Sequence, residues 1–245
     1  MQDRVFWTSG ACPKHPFFDY NNCQIIIRIM KTELQFQNPP LKPAGWYKRL
    51  FAHMMANSRQ NDSIMAERKH RLFGGLRGSI LEIGPGAGPN LAYYSPETHW
   101  LGVETNPAML PYLRQEARRL GLAIELRDGG PEILPADSAS MDAVVSTHVL
   151  CSVPDLTKTL QEIRRVLRPG GTFVFIEHVA APRSAALRRA QRLVRPLWQV
   201  LGDGCHIDRE TWLAIEQAGF SQVQMEHFRV EVPFVSPHIA GFAIK

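Results

Sequence analysis

Long apolar runs are missing from this 245-residue sequence. The densest stretch near the amino terminus, residues 25–30, is broken by Arg28 and falls far short of the roughly 20 apolar residues that cross a bilayer. No transmembrane helix is expected. The opening residues carry Asp3, Arg4 and several prolines where a secretion signal needs an unbroken apolar segment, so no such signal is read there. Cysteine is scarce: Cys12, Cys23, Cys151 and Cys205 form no C-x-x-C pair and have no histidine at zinc-finger spacing. Neither a disulfide framework nor a metal site is expected, and a reducing, cytoplasmic setting fits this usage. The net charge of +5 is spread without a block of like charges, and no aromatic stacking motif accompanies a basic run. Nucleic acid is therefore not indicated as a partner. Internal repeats and low-complexity tracts are lacking too.

What is present is ample material for one core: 44% of residues are hydrophobic and 21% charged, the balance of a single enzyme-sized domain. Residues 1–43 lack helical periodicity and end among Pro39, Pro40 and Pro43, so they read as an extension before a domain of residues 44–245. A chain that begins at Ala44 is expected to keep its cooperative unfolding transition in a denaturant melt. Loss of that transition would place the extension in the core.

Across residues 44–57, Trp46, Tyr47, Leu50, Phe51, Met54 and Met55 recur at helical spacing. This stripe is expected to pack on the domain, with a substrate lid or a peripheral membrane contact as alternatives. Beyond it, apolar strands alternate with helical segments, which indicates a mostly parallel sheet covered on both faces. Strands are expected at 80–83, 100–104, 123–127, 143–147 and 172–178, and helices at 88–94, 107–120, 156–167, 185–201 and 208–218. "QVQMEHFRVEV" and "HIAGFAIK" supply a closing pair of strands. In "RSAALRRAQRLVR", Arg188, Arg192 and Arg195 share one helical face while Leu187, Val194 and Leu197 are expected to face inward. The basic face reads as solvated, an anionic membrane surface being the alternative.

The segment "SILEIGPGAGPNL" carries the chemistry. A strand, a glycine loop and a helix start turn backbone amides toward a ligand that approaches where no Cβ stands. The loop is not the dinucleotide fingerprint, because Pro89 stands where the third glycine of G-x-G-x-x-G belongs. That counts against a dehydrogenase. Glu104, at the end of the next strand, lies 20 residues after Gly84, where a carboxylate accepts hydrogen bonds from ribose hydroxyls. A nucleoside is implied.

"LEIGPGAG", "GVETNP", "SMDAVVSTHVLCSV" and "EIRRVLRPGGTFVFIEH" follow one another as in the class I S-adenosylmethionine-dependent methyltransferases, which residues 65–245 resemble. "VLCSV", "FIEHVA" and "GDGCHIDRETW" together resemble the branch of thiol S-methyltransferases and their bacterial relatives. The resemblance implies a Rossmann-like α/β fold, with seven strands, an antiparallel final strand and helices on both faces. It also implies S-adenosyl-L-methionine as cofactor. On this pattern Glu82 and the loop glycines Gly84, Gly86 and Gly88 face the methionine portion, Glu104 holds the ribose, and Thr105, Asn106 and Pro107 line the adenosine. Thr147 and His148 close the cofactor site. Relatives carry Gly-Asp-Ala-Glu-x-Leu-Pro after the third strand, whereas this chain has "DGGPEILP", with Gly130 for the aspartate and Pro131 for the alanine. The adenine contact is thereby left to Asp128 or to a backbone carbonyl.

Ligands of open parallel sheets sit beyond the carboxyl ends of the strands. That places Thr147, His148 and Cys151 after the fourth strand, Glu177 and His178 at the end of the fifth, and Asp203, Cys205, His206 and Asp208 on a later loop. Asp208 is read as the amino-terminal cap of the helix that follows. "LRPGG" is read as architecture, with Pro169 and Gly170 ending a helix. His148, His206 and Asp203 are the candidate catalytic residues. A covalent Cys205–His206 mechanism is rejected, since neighbours in sequence point apart and methyl transfer needs no protein nucleophile. The expected activity is methylation of a small apolar acceptor, foremost a thiol sulfur. The alternatives are a quinone-like or lipid carbon, oxygen or nitrogen, and a noncatalytic nucleotide-binding module.

Overall fold

In the computed structural model, which describes residues 44–57 and 63–245, seven strands form one sheet in the order β3-β2-β1-β4-β5-β7-β6. The strands are β1 (Ser79–Ile83), β2 (His99–Val103), β3 (Ile124–Leu126), β4 (Met141–Thr147), β5 (Leu167–His178), β6 (Gln222–Arg229) and β7 (Pro237–Ile244). The first five run parallel, and β7 lies antiparallel between β5 and β6. Six α-helices are described: α1 (Trp46–Asn57), α2 (Ser63–Phe73), α3 (Leu110–Leu120), α4 (Leu156–Val166), α5 (Ala185–Leu201) and α6 (Thr211–Gln217). The expected 1–43 extension lies outside the described residues. None of the described helices is long and apolar enough to cross a membrane.

The strands read as nearly continuous apolar runs because both faces are covered. On one face Leu81, Ile83, Val144, Phe173 and Phe175 pack with Leu160 and Ile163 of α4 and Ile215 of α6. On the other, Ile80, Trp100, Val145, Val174 and Ile176 pack with Phe73 of α2 and Leu113 of α3. Because β1 pairs with β2 on one side and β4 on the other, the chain's direction of travel reverses between β1 and β4. A crevice opens at such a switch point, above the strands' carboxyl ends.

Several local expectations are corrected. The segment after the glycine loop is a single 3-10 turn, Leu91–Tyr93, rather than a helix over 88–94. Helix α2 had no counterpart in the sequence reading. Asp208 does not cap α6, whose flanking residue is Glu210; it pairs instead with Arg195 at 3.3 Å. Helix α4 stops at Val166, and "LRPGG" already belongs to β5, where Gly170 turns at φ +75°. Leu197 does not face inward but is 64% exposed, and Gln191 takes the buried place on α5. Its amide accepts from Ala181 N–H at 2.8 Å and donates to the carbonyl of Phe234 at 2.8 Å, which satisfies the polar groups it buries.

Candidate functional site

Gly84 and Gly86 carry the chain away from β1 at φ +59° and +57°, a region that side chains disfavour. Around them lies a cleft of ≈ 400 Å³ that continues into a recess of ≈ 490 Å³; both volumes share Gly84, Thr105, Val149, Ser152 and Asp203. A Cβ on Gly86 would meet nothing within 4 Å, so its backbone faces open space. Gly88 is different. It does not line the cleft, and a Cβ there would lie 3.0 Å from Leu113 and Leu91, so the glycine serves the turn's packing on the core rather than a ligand.

Glu104 stands at the junction. Its carboxylate accepts the Gly86 N–H at 2.8 Å and the Asn106 N–H at 2.7 Å, one on each oxygen, and each oxygen retains a lone pair for a further donor. Burial raises its pKa above the ordinary carboxylate value, while these two amides pull it back down. Thr105 and Asn106 line the same wall, with Asn106 Oδ1 accepting the Ala108 N–H at 3.1 Å. Gly130 and Pro131 line the recess beside Ile133, an aliphatic side chain left 69% exposed. Asp128 does not line it. The surface offered to a flat base there is an apolar side chain with a turn closed by Gly130 and Ile133.

Glu82 does not reach the cleft, which corrects its expected place against the methionine portion. It is 1% exposed, and its two oxygens are taken up by Asn90 Nδ2 at 2.7 Å, the Tyr94 hydroxyl at 2.8 Å and Trp100 Nε1 at 3.0 Å. Burial raises its pKa, opposed by these three donors. Asn90, which the sequence pattern did not single out, lines the cleft in its stead; its amide also donates to Thr147 Oγ1 at 3.0 Å. The only signal was its position directly after the loop. Asn90 Oδ1 is buried without a partner. A buried acceptor of this kind needs a donor, and the ammonium of a methionine moiety is one. With the open cradle at Gly86 and the poised Glu104, the residues present fit S-adenosylmethionine.

The acceptor side is built by the loops after β4 and α5. His148 and Asp203 both line the cleft, and both hold positive φ, +56° and +48°, which costs free energy and clusters at functional positions. His148 donates its backbone N–H to the Ile176 carbonyl at 2.9 Å, which fixes the turn, and the residue is exposed on the cleft. The protein packed around its ring, then the imidazoles of His238 and His178, lower its pKa below the usual histidine value, an effect that its exposure to solvent weakens. His206 is not brought to the cleft. The turn at Asp203 and Gly204 sends the next residues elsewhere: Cys205 Sγ lies 3.1 Å from His178 Nε2, and the His206 ring meets the Gln199 amide at 3.0 Å. Glu177 is also internal, accepting from Ser146 Oγ at 2.6 Å and from the backbone N–H groups of Val149 and Leu150, so it anchors the β4 loop.

Helix α1 covers the mouth of the cleft. Phe51, Met55 and Ala56 line it, and the Lys48 carbonyl accepts from Asn106 Nδ2 at 3.3 Å. The expected packing of its stripe is thus partial, because Trp46, Leu50 and Met54 remain 78%, 47% and 50% exposed.

A family model described as a methyltransferase domain matches residues 81–175. The chain is 37% identical over 214 residues to thiol S-methyltransferase TMT1B of Rattus norvegicus, covering 81% of this chain and 87% of that relative. It is also 37% identical over 194 residues to thiol S-methyltransferase TMT1A of Homo sapiens, covering 74% and 80%. Among solved structures, a SAM-dependent methyltransferase from Aquifex aeolicus superposes with a TM-score of 0.55 at 16% identity, covering 80% of this chain and 97% of the other.

Proposed function

Since the chain belongs to the S-adenosylmethionine-dependent methyltransferases, in the branch that contains the thiol S-methyltransferases, we propose that it methylates the sulfur of a small apolar thiol. The observation that carries this reading is the 37% identity extending over 87% of a thiol S-methyltransferase. The cofactor, when bound, supplies a sulfonium methyl group already activated for attack. The protein's part is placement, exclusion of water and handling of one proton.

Glu104 and Asn90 would hold the two ends of the cofactor, and Phe51 and Met55 would shield the cleft from water. His148 is the imidazole at the cleft wall; its lowered pKa keeps it uncharged but makes it a weak base, so it would accept a hydrogen bond from the acceptor S–H and pass the proton toward solvent as the sulfur attacks. Asp203, which borders both the cleft and the recess and whose charge acts on Glu104, would bound the site where the two volumes join. His206 has no role in this scheme.

Alkyl thiols ionise above about pH 8.5, the value of the cysteine side chain, so single-turnover methyl transfer is expected to rise with pH through the neutral and mildly alkaline range. Aromatic thiols, already ionised, should show a flatter profile. His148→Ala is expected to cost about 10- to 100-fold with alkyl thiols and less with aromatic ones, while His206→Ala changes both by little. Equal losses for both thiol classes in His148→Ala would discard the base role. Preferential turnover of a quinone or phenol would discard the thiol assignment.

A further inference from the structure

Sequence spacing argued against a metal, yet the fold gathers three soft ligands that are far apart in the chain. Cys151 follows β4, His178 ends β5 and Cys205 lies in the loop after α5, and their ligand atoms all fall within 4.8 Å of one another. The two thiols are 1% and 4% exposed and His178 is 9% exposed. Each comes from one of the three motifs that set this chain's branch apart, "VLCSV", "FIEHVA" and "GDGCHIDRETW". The loops that carry the cysteines are fastened together: His206 N–H donates to the Cys151 carbonyl at 2.9 Å, and Arg209 Nη1 donates to the carbonyls of Leu150 at 2.7 Å and Val153 at 2.8 Å. This is a held geometry, not a chance approach of mobile side chains.

We propose that Cys151, His178 and Cys205 form a buried Cys₂His site for a zinc-class ion that ties together the segments after β4, β5 and α5 behind the wall of the cleft. A tetrahedral ion with sulfur at about 2.3 Å and nitrogen at about 2.0 Å sets its ligand atoms roughly 3.5 to 3.8 Å apart, a spread the trio reaches by side-chain rotation. Two thiolates and one imidazole select such an ion over magnesium or calcium, and two thiolates balance its charge in the apolar surroundings of Ile207, Val235 and Trp198. Three protein ligands leave a tetrahedral ion one exchangeable place. The His178 ring stacks on His148 at 5.8 Å, and His148 lines the cofactor cleft, so the ion would lie one imidazole behind the place of methyl transfer.

The test uses the full chain, kept reduced with a phosphine so that no added thiol competes and no Cys151–Cys205 disulfide forms. After exposure to zinc and dialysis, about one zinc per chain is expected, and cobalt in its place should show thiolate-to-cobalt charge transfer with the visible bands of a tetrahedral ion. Cys151→Ser with Cys205→Ser should lose both signals while retaining S-adenosylmethionine binding, which reports that the variant is folded. Zinc content no higher than in that variant, or cobalt bands without charge transfer in the unaltered chain, would overturn the site; the second readout needs no variant.

Discussion

Glu104→Ala is expected to weaken S-adenosylmethionine binding by about 1 to 3 kcal/mol, roughly 5- to 150-fold in Kd, read by calorimetric titration. Two effects add. The carboxylate's own hydrogen bonds to the ribose are lost, and the Gly86 and Asn106 amides, which it now fixes, are released from the edges of the cradle. Glu104→Gln separates them, because one carboxamide oxygen can keep one amide but cannot accept from both and from a sugar. NADH should compete with neither form, since Pro89 denies the loop the third glycine of a dinucleotide fingerprint. Saturable NADH binding, or a Kd for S-adenosylmethionine unchanged by the alanine, would contradict the placement of the ribose at Glu104.

The larger effect on the fold is expected at Glu82. In Glu82→Gln three donors, from Asn90, Tyr94 and Trp100, face a group with one acceptor oxygen and an NH₂ of its own. Leaving one or two buried donors unmet costs about 2 to 4 kcal/mol, which a denaturant melt resolves. The pH dependence has a defined sign. Burial raises the Glu82 pKa in the folded chain above its unfolded value, so the native state holds the proton more tightly, and the stability this gives is present at low pH and declines as pH rises from about 4.3 through the folded value. The glutamine variant should lack that decline. A loss under about 0.5 kcal/mol would mean that water reaches the donors. Because Asn90 hangs from Glu82, cofactor affinity should fall together with stability.

The parallel core of this fold was legible in the sequence because strands buried on both faces leave uninterrupted apolar runs, as at 80–83 and 143–147. The position of Glu104 at the end of β2 was legible for a similar reason, its spacing from the glycine loop being fixed by the short crossover between β1 and β2. Helix ends were less so. The 3-10 turn at Leu91–Tyr93 and the early stop of α4 depend on tertiary contacts that local patterns do not encode. Glu82 was assigned to the ligand on the family pattern alone; in the structure it holds Asn90, and the two donors that complete its shell come from Tyr94 and Trp100, on other segments. The gathering of Cys151, His178 and Cys205 had no sequence signal, since metal-site patterns are read from short spacings and these residues meet only through the sheet.

Gly84 borders a second loop as well as the cleft. A methyl group there would stand 2.6 Å from Cγ2 of Val149, on the loop that Glu177 pins above β4 and that carries His148. The loop that would cradle the donor and the loop that carries His148 therefore lean directly on one another along one wall of the same cleft. A ligand that displaces one of them is expected to displace the other by contact, and such a coupling acts with equal free energy in both directions. A substitution made in the His148 loop to retune the choice of acceptor is accordingly expected to register in the hold on the donor as well.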